Sequence, residues 1–546
     1  MIFSMNKKSF FILISILIVA PGLSLAWSLS QTFFVDFNYD ASSRTQIETQ
    51  LIKTTNQLYF YADKNWYNNL QEKNQFASVL YSLATEFENK IYPNLTKILG
   101  SEDKPGIDND QRLVIVIEPL KESYGGYVRV SDNYPKSVAK ESNEGQIIYL
   151  NANLILKRDL NFLTYELAHE FAHLITLKQK PNSDIWFYEL ISEFAGQVST
   201  QDSSKITLKK AQDFLYSAEV NLKDWKNSDK DYAKVYLLAL YLREQFQNDL
   251  FKEVLNYPSN DAIISFDEAL KSKGLSFDEV YLNWLITNVL NNCENNSKYC
   301  YKDPNLKDFS VTPYSYYLPM QEKSLLSVTD SIMPFTGKWQ KINGGKATVE
   351  LKFDIPQQTP ITKIPYIIEN TSGKKTLGFF DFSLSNIGKL YVQKIGTENK
   401  SIYFIPYLGS KVTENKLYYY SFEVQSLSDS NETEQKIIEE LLKKVEELKR
   451  QLAKLQFQIA ASKTYQNNPN CSLFERDLYY GMESEEVKCL QQFLANLGDD
   501  IYPEKLVTGY YGPLTLAAVK RYQTLKGIIT TGYFGPLTRA QANQEM

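Results

Sequence analysis

The chain predicts a multidomain protein: an α+β domain, an all-β sandwich, one long coiled-coil helix and a small all-α domain. Three observations carry this reading. Residues 27–305 place short apolar strand runs ahead of a series of amphipathic helices. Residues 306–425 change texture, to short runs of β-branched and aromatic residues bounded by Gly, Pro, Asn and Ser. Residues 426–470 hold a polar linker and a heptad seam, and 471–546 form a compact segment with an internal near-repeat. At 546 residues the chain is too long for one ordinary domain.

The first 26 residues read as an export signal. Lys7 and Lys8 precede an apolar run from Phe10 to Ala20, and Ser24, Leu25 and Ala26 form a small-residue cleavage site. The competing reading is an uncleaved anchor, but the run has 11 residues where a spanning helix needs about 20. Four cysteines in an exported chain suggest two disulfides. Three connectivities are open, and the local one, Cys293 with Cys300 and Cys471 with Cys489, is expected. The net charge is -5 and no Lys/Arg block occurs, so nucleic acid is set aside as a partner.

Taken in order, residues 27 to about 45 read as a polar lead-in, and Leu58 to Tyr61 as a strand. Gln75 to Leu99 has helical periodicity and stops at Gly100. Arg112 to Ile117 and Gln146 to Leu150 read as strands, with a Gly125-Gly126 turn between them. The strand 146–150 is a candidate edge for pairing with an extended substrate. A helix follows from Leu160 to Leu177, Pro181 to Asp184 break it, and a second helix starts near Ile185. The helical pattern then continues to about Asn292.

The helix 160–177 contains HEFAH, with His169 and His173 one turn apart on the same face. These are the only two histidines in the chain, so a chance coincidence is a weak explanation. Two neutral imidazoles at that spacing can both reach one Zn²⁺, and Glu170 stands where a base for the attacking water is needed. With no third histidine, the third ligand must be a carboxylate or thiolate. Glu189 and Glu193, at i and i+4 in WFYELISEFA, share one helix face. One would bind the metal and the other would hold a ligand histidine by its second nitrogen.

HEFAHLI followed by Trp186-x-x-Glu189-x-x-Ser192-Glu193 resembles the gluzincin metallopeptidases, most of all their hyicolysin-type branch. The resemblance covers roughly residues 50–290 and includes LYFYAD, the GIDNDQR loop, Gly125-Gly126-Tyr127 and IIYLN. It implies an α+β zinc metallopeptidase domain with Glu189 as the ligand, Glu193 as its supporting carboxylate and Glu170 as general base. Leu190 stands where that branch has Gly after the ligand Glu. The segment Tyr232-Ala-Lys234 resembles the Tyr-x-Lys stretch of gluzincin aminopeptidases, which implies that Tyr232 donates to the oxyanion, with Tyr236 as the alternative. A Gly-x-Met-Glu-Asn stretch is absent, which favours an endopeptidase.

No catalytic constellation stands out in the sandwich region, whose strands are expected at 347–353, 364–369, 378–383, 390–395, 402–407 and 417–425; it reads as a spacer or accessory module. The helix 433–463 has a seam of Ile438, Leu441, Val445, Leu448, Leu452, Leu455 and Ile459, consistent with a homodimer or with a rigid stalk. In the last segment TGYYGPLT at 508–515 and TGYFGPLT at 531–538 repeat a tight turn feeding a helix. Together with LYYGMESEEVKCLQQFL these blocks resemble the small three-helix peptidoglycan-binding domain, with Thr508 standing where an Asp often precedes the first turn glycine.

The leading expectation is a secreted, cell-wall-associated zinc endopeptidase that takes protein or peptide substrates and binds peptidoglycan through its C-terminal domain. Two alternatives stand beside it: a hydrolase of peptidoglycan stem peptides, and a catalytically silent wall-binding adhesion or scaffold protein.

Overall fold

The computed structural model describes residues 28–427 and 471–546, apart from positions 123, 295, 322, 358, 362, 383–385, 411, 413 and 472. The expected export signal at 1–26 and coiled-coil helix at 433–463 lie outside the described residues. The protein is multidomain, with mixed α and β content, several sheets and a helical C-terminal region.

Six strands form the first sheet: β1 (Ser30–Phe34), β2 (Gln46–Thr54), β3 (Leu58–Asp63), β4 (Leu113–Glu118), β5 (Gly126–Tyr127) and β6 (Ile147–Asn151). Their order is β1-β2-β3-β4-β6-β5, with β3, β4 and β6 parallel and the remaining pairs antiparallel. The three parallel strands are buried along their whole length, which is why they read as continuous apolar runs.

Two expectations are corrected here. Residues 27–45 are not only a lead-in: they include β1, which pairs with the polar strand β2. Phe33 and Ile47 from this pair bury against Tyr59, Tyr61, Tyr127 and Tyr149 on one face of the sheet. Nor is β6 the sheet edge, because β5 pairs with it at Leu150 and Tyr149, leaving Gly126 and Tyr127 outermost.

On the other face of the sheet, Lys73–Glu86, a π-helical stretch Phe87–Ile91 and Tyr92–Leu99 follow one another without a break, up to Gly100 at φ 89°. The HEFAH helix spans Leu160–Gln179 and is capped by Asp159, which accepts from the Phe162 N–H at 3.0 Å. It is followed by the helix Ile185–Ser199. These two pack closely because Gly196 has no side chain: a Cβ there would lie 2.5 Å from the Tyr165 ring. Helices Ser204–Phe214, Asp229–Phe246, Asp249–Asn256, Ala262–Lys271 and Phe277–Leu290 complete this body, with one short strand between them, β7 (Glu219–Asn221).

The all-β region comprises β8 (Tyr314–Leu318), β9 (Leu325–Ile332), β10 (Thr336–Lys338), β11 (Gln340–Gly344), β12 (Ala347–Asp354), β13 (Pro365–Asn370), β14 (Lys375–Phe379), β15 (Ile387–Ile395), β16 (Asn399–Phe404), β17 (Tyr407–Leu408) and β18 (Tyr418–Leu427). One layer runs β15-β12-β18-β9 and the other β14-β13-β16-β11-β8, joined through the single pair Ile395–Asn399. Phe353 from the first layer meets Phe404 from the second at 5.4 Å between ring centroids, inside a common core. The strand expected at 378–383 forms earlier, as β14, where Leu377 pairs with Ile367. Strands β8 to β11 went unanticipated; their faces mix Tyr, Ser, Thr, Gln and Lys and show little alternation.

The region does not stand apart from the helical body. β10 pairs with both β7 and β17 in a three-stranded sheet. Trp339 is buried in the first core and donates its indole N–H to the Leu285 carbonyl at 2.9 Å.

The C-terminal helices are Glu485–Asn496, Pro513–Leu525 and Pro536–Asn543. The near-repeat acquires a physical reason here. In the first copy, buried Gln491 donates to the Tyr510 carbonyl and to Thr515 while accepting from the Thr508 and Gly509 N–H groups. In the second, Gln523 donates to the Tyr533 carbonyl and to Thr538 while accepting from the Gly532 N–H. Thr508 accepts from the Tyr510 N–H at 3.2 Å, a bond an Asp at that position would also make. Both local disulfides, Cys293–Cys300 and Cys471–Cys489, are formed.

Candidate metal centre

The consecutive helices Leu160–Gln179 and Ile185–Ser199 bring three side chains together. His169 Nε2 lies 3.2 Å from His173 Nε2 and 3.2 Å from Glu189 Oε2, and His173 Nε2 lies 3.7 Å from the same oxygen. Among the described residues this is the one cluster of metal-ligating type whose donor atoms converge. Tetrahedral zinc with bonds of about 2.0–2.1 Å separates its ligand atoms by about 3.3–3.4 Å, so the triangle has the size of that coordination face. Glu189 Oε2 is also buried without a hydrogen-bond donor, an expensive arrangement unless a cation serves it. The residues therefore fit a zinc ion.

Electrostatics agree with the geometry. Burial lowers His169 to about 3, with Lys210 adding to the effect, and burial lowers His173 to about 4 against the pull of Glu189. Both imidazoles are thus neutral near pH 7, the form that ligates metals. Glu170 is 4% exposed. Burial, then the like charges of Glu166 and Glu189, push its carboxyl well above the usual range. Its Oε2 is a second buried oxygen without a donor.

Glu193 departs from its expected role. It makes no hydrogen bond to either histidine; instead it pairs with Lys210 at 2.5 Å and accepts from the Tyr165 hydroxyl. The Tyr165 ring is 6.4 Å from the His169 ring, centroid to centroid. The reason is reach: Lys210, from the helix Ser204–Phe214, takes the carboxylate.

Tyr232 lines the same cavity as the three ligands and donates to Asn227 Oδ1 at 2.8 Å. Its helix begins with a capping box, Ser228 with Asp231. Lys234 in turn ties Asp231, Asn221 and Asp224 together and so holds the loop that carries Asn227. Tyr236 does not reach the cavity: it is fully buried and shares a hydrogen bond of 2.6 Å with Thr207. That removes it as the oxyanion alternative.

The cavity, about 440 Å³, has lining that sequence reasoning did not anticipate. Tyr39, Tyr127 and Tyr188 come from the N-terminal α/β part, and Tyr479, Tyr480 and Tyr510 from the C-terminal domain. Glu166, one turn before Glu170, was also missed; burial raises it to about 7. A charged residue inside the otherwise apolar run LTYELAHEFAHLITL was the available signal. The tyrosines of the C-terminal domain gave none, being remote in sequence.

Residues 483–541 match the family described as a peptidoglycan binding domain. No curated protein matches the chain. Similar solved structures include the pre-peptidase C-terminal domain of collagenase from Bacillus anthracis, at 10% identity and TM-score 0.15, covering 21% of this chain and 98% of that one. Another is PliG, a periplasmic inhibitor of g-type lysozyme from Aeromonas hydrophila, at 9% identity and TM-score 0.15, covering 20% of this chain and 96% of that one. Superpositions at that score carry no argument about fold or function.

Proposed function

We propose that this chain is a cell-wall-associated zinc endopeptidase of gluzincin type, exported and held at the wall by its C-terminal domain. The observation that supports it most is the triangle of His169 Nε2, His173 Nε2 and Glu189 Oε2, with sides of 3.2, 3.2 and 3.7 Å. The peptidoglycan binding family match over 483–541 supports the wall association. Among the described residues no helix is long and apolar enough to cross a membrane.

His169, His173 and Glu189 would hold the Zn²⁺, which when bound supplies a Lewis acid and an acidified water. Glu170, next to the ligand His169, takes a proton from the attacking water as the new C–O bond forms. It then returns that proton to the leaving nitrogen as the C–N bond breaks. Tyr232 exchanges its bond to Asn227 for one to the developing oxyanion. The substrate backbone would pair with the outermost strand at Gly126 and Tyr127, which line the cavity beside Glu170.

Metal analysis combined with two substrates tests this. The expected result is one zinc per chain and chelator-sensitive cleavage of casein. Chelator-sensitive release from purified wall sacculi, with casein untouched, would instead favour the stem-peptide hydrolase, which the same family match supports. Silence on both substrates with zinc bound would leave the scaffold reading.

A further inference from the structure

The metal cavity has a floor from one part of the chain and a roof from another. Tyr479 to Glu483 and Tyr510 line it, although they belong to the C-terminal domain. The roof is joined to the rim by specific contacts. The Tyr479 hydroxyl donates to Asp36 Oδ2 at 2.6 Å. The Tyr480 ring meets Tyr188 edge to face at 6.5 Å between centroids. The Arg476 guanidinium lies 5.9 Å from the Phe37 ring centroid. At Gly481, a Cβ would stand 4.0 Å from Ile185 Cδ1, so the backbone comes down on the first residue of the Glu189 helix.

The consequence for access is direct. His169 and Glu189 are 7% and 8% exposed. The hydroxyls of Tyr480 and Tyr510 are buried in the roof contact. An endopeptidase must pass a chain through its cleft, with both ends of the substrate outside it. A roof seated on the rim blocks that passage. The polar and ring contacts of the seat are few: the Tyr479–Asp36 hydrogen bond, the Tyr480–Tyr188 ring edge and the Arg476 cation over Phe37, beside the close approaches of Gly481 to Ile185 and of Gly535 to the Val138 carbonyl. A ligand that binds the C-terminal domain better when it is lifted can therefore open it.

We infer that the C-terminal domain is an intramolecular lid on the metal cleft, released when that domain engages peptidoglycan. This rests on the peptidase reading for its catalytic consequence, but the closure itself is independent of catalysis. Hydrogen exchange on the full chain measures the closure, at 126–131 on the rim and 479–483 on the roof. Tyr479→Phe combined with Tyr480→Ser loosens the seat from one side, and Asp36→Ala loosens it from the other without touching the C-terminal core.

The expected result is at least tenfold faster exchange in both segments for either variant, and in the parent on adding soluble wall fragments. Casein cleavage should rise in parallel. Exchange that is the same in parent and variants, or unmoved by wall fragments, overturns the lid. Accelerated exchange with no cleavage by any form upholds the lid and sinks the peptidase reading, so the two fail separately.

Discussion

Gly126 touches the general-base candidate so closely that no side chain fits between them. A Cβ at Gly126 would lie 2.9 Å from Glu170 Cγ and 2.7 Å from the Tyr149 carbonyl oxygen. The first neighbour can rotate away; the second is backbone and cannot. Gly126→Ala should therefore shift β5 or turn Glu170 off its position, at a cost on the order of 1–3 kcal/mol. We expect the variant to keep its zinc and lose at least tenfold in kcat, read by metal analysis beside casein hydrolysis. Full activity would mean that the strand edge does not position Glu170.

On the proposed peptidase function, Glu170 and Glu189 should separate catalysis from metal binding. Glu170→Gln keeps the shape and removes the base, so zinc content should stay at one per chain while hydrolysis falls about 10²- to 10⁴-fold. Glu189→Ala removes a ligand and should lower zinc affinity itself, measured by competition with a chromogenic chelator. If Glu170→Gln cleaves as well as the parent, the assigned mechanism is wrong.

Glu193 is a matter of stability before activity. It is 1% exposed and bonded to both Lys210 and Tyr165. Removing one partner of a buried pair leaves the other charge uncompensated, typically at about 3–5 kcal/mol. Glu193→Ala should lower the unfolding midpoint measurably by calorimetry, whereas Glu193→Gln, which can still accept from Tyr165, should lower it less. Equal midpoints in parent and Glu193→Ala would refute the pairing.

Glu118 gives the pH dependence. Burial raises its carboxyl to about 8, opposed by a hydrogen bond from the Tyr127 hydroxyl at 2.6 Å. Its folded pKa exceeds its unfolded one, so its contribution is complete below about 4.3 and is lost as pH rises through 8. Each unit of separation corresponds to about 1.4 kcal/mol. Glu118→Gln should flatten the decline in thermal stability between pH 5 and 8. The check is a series of melting curves against pH, and an unchanged slope would refute the assignment.

Several features were legible without coordinates because they are local. The three buried strands β3, β4 and β6 announce themselves as unbroken apolar runs, since both their faces are covered. The HEFAH helix and its neighbour were readable from helical spacing interrupted by Pro181. Polar strands such as the edge strand β1 and its neighbour β2 were not, because part of each faces solvent and Phe33 and Ile47 mark the inner side.

By itself the sequence narrowed the candidate donors to His169, His173 and one of Glu189 and Glu193. Two histidines one turn apart, with Glu189 on the next helix, can converge as soon as both helices form, because the side-chain directions follow from the helical period. The sequence also determined the paired turns of the C-terminal domain. What only the tertiary structure decided depends on groups brought together from afar. Glu193 turned to Lys210 rather than to a histidine. Tyr236 was spent on Thr207. The edge beside Glu170 became β5. And Tyr479, hundreds of residues from Asp36 in the chain, closed over the cleft. Such pairings are set by which buried polar group finds a partner when whole elements pack, and no local pattern encodes that choice.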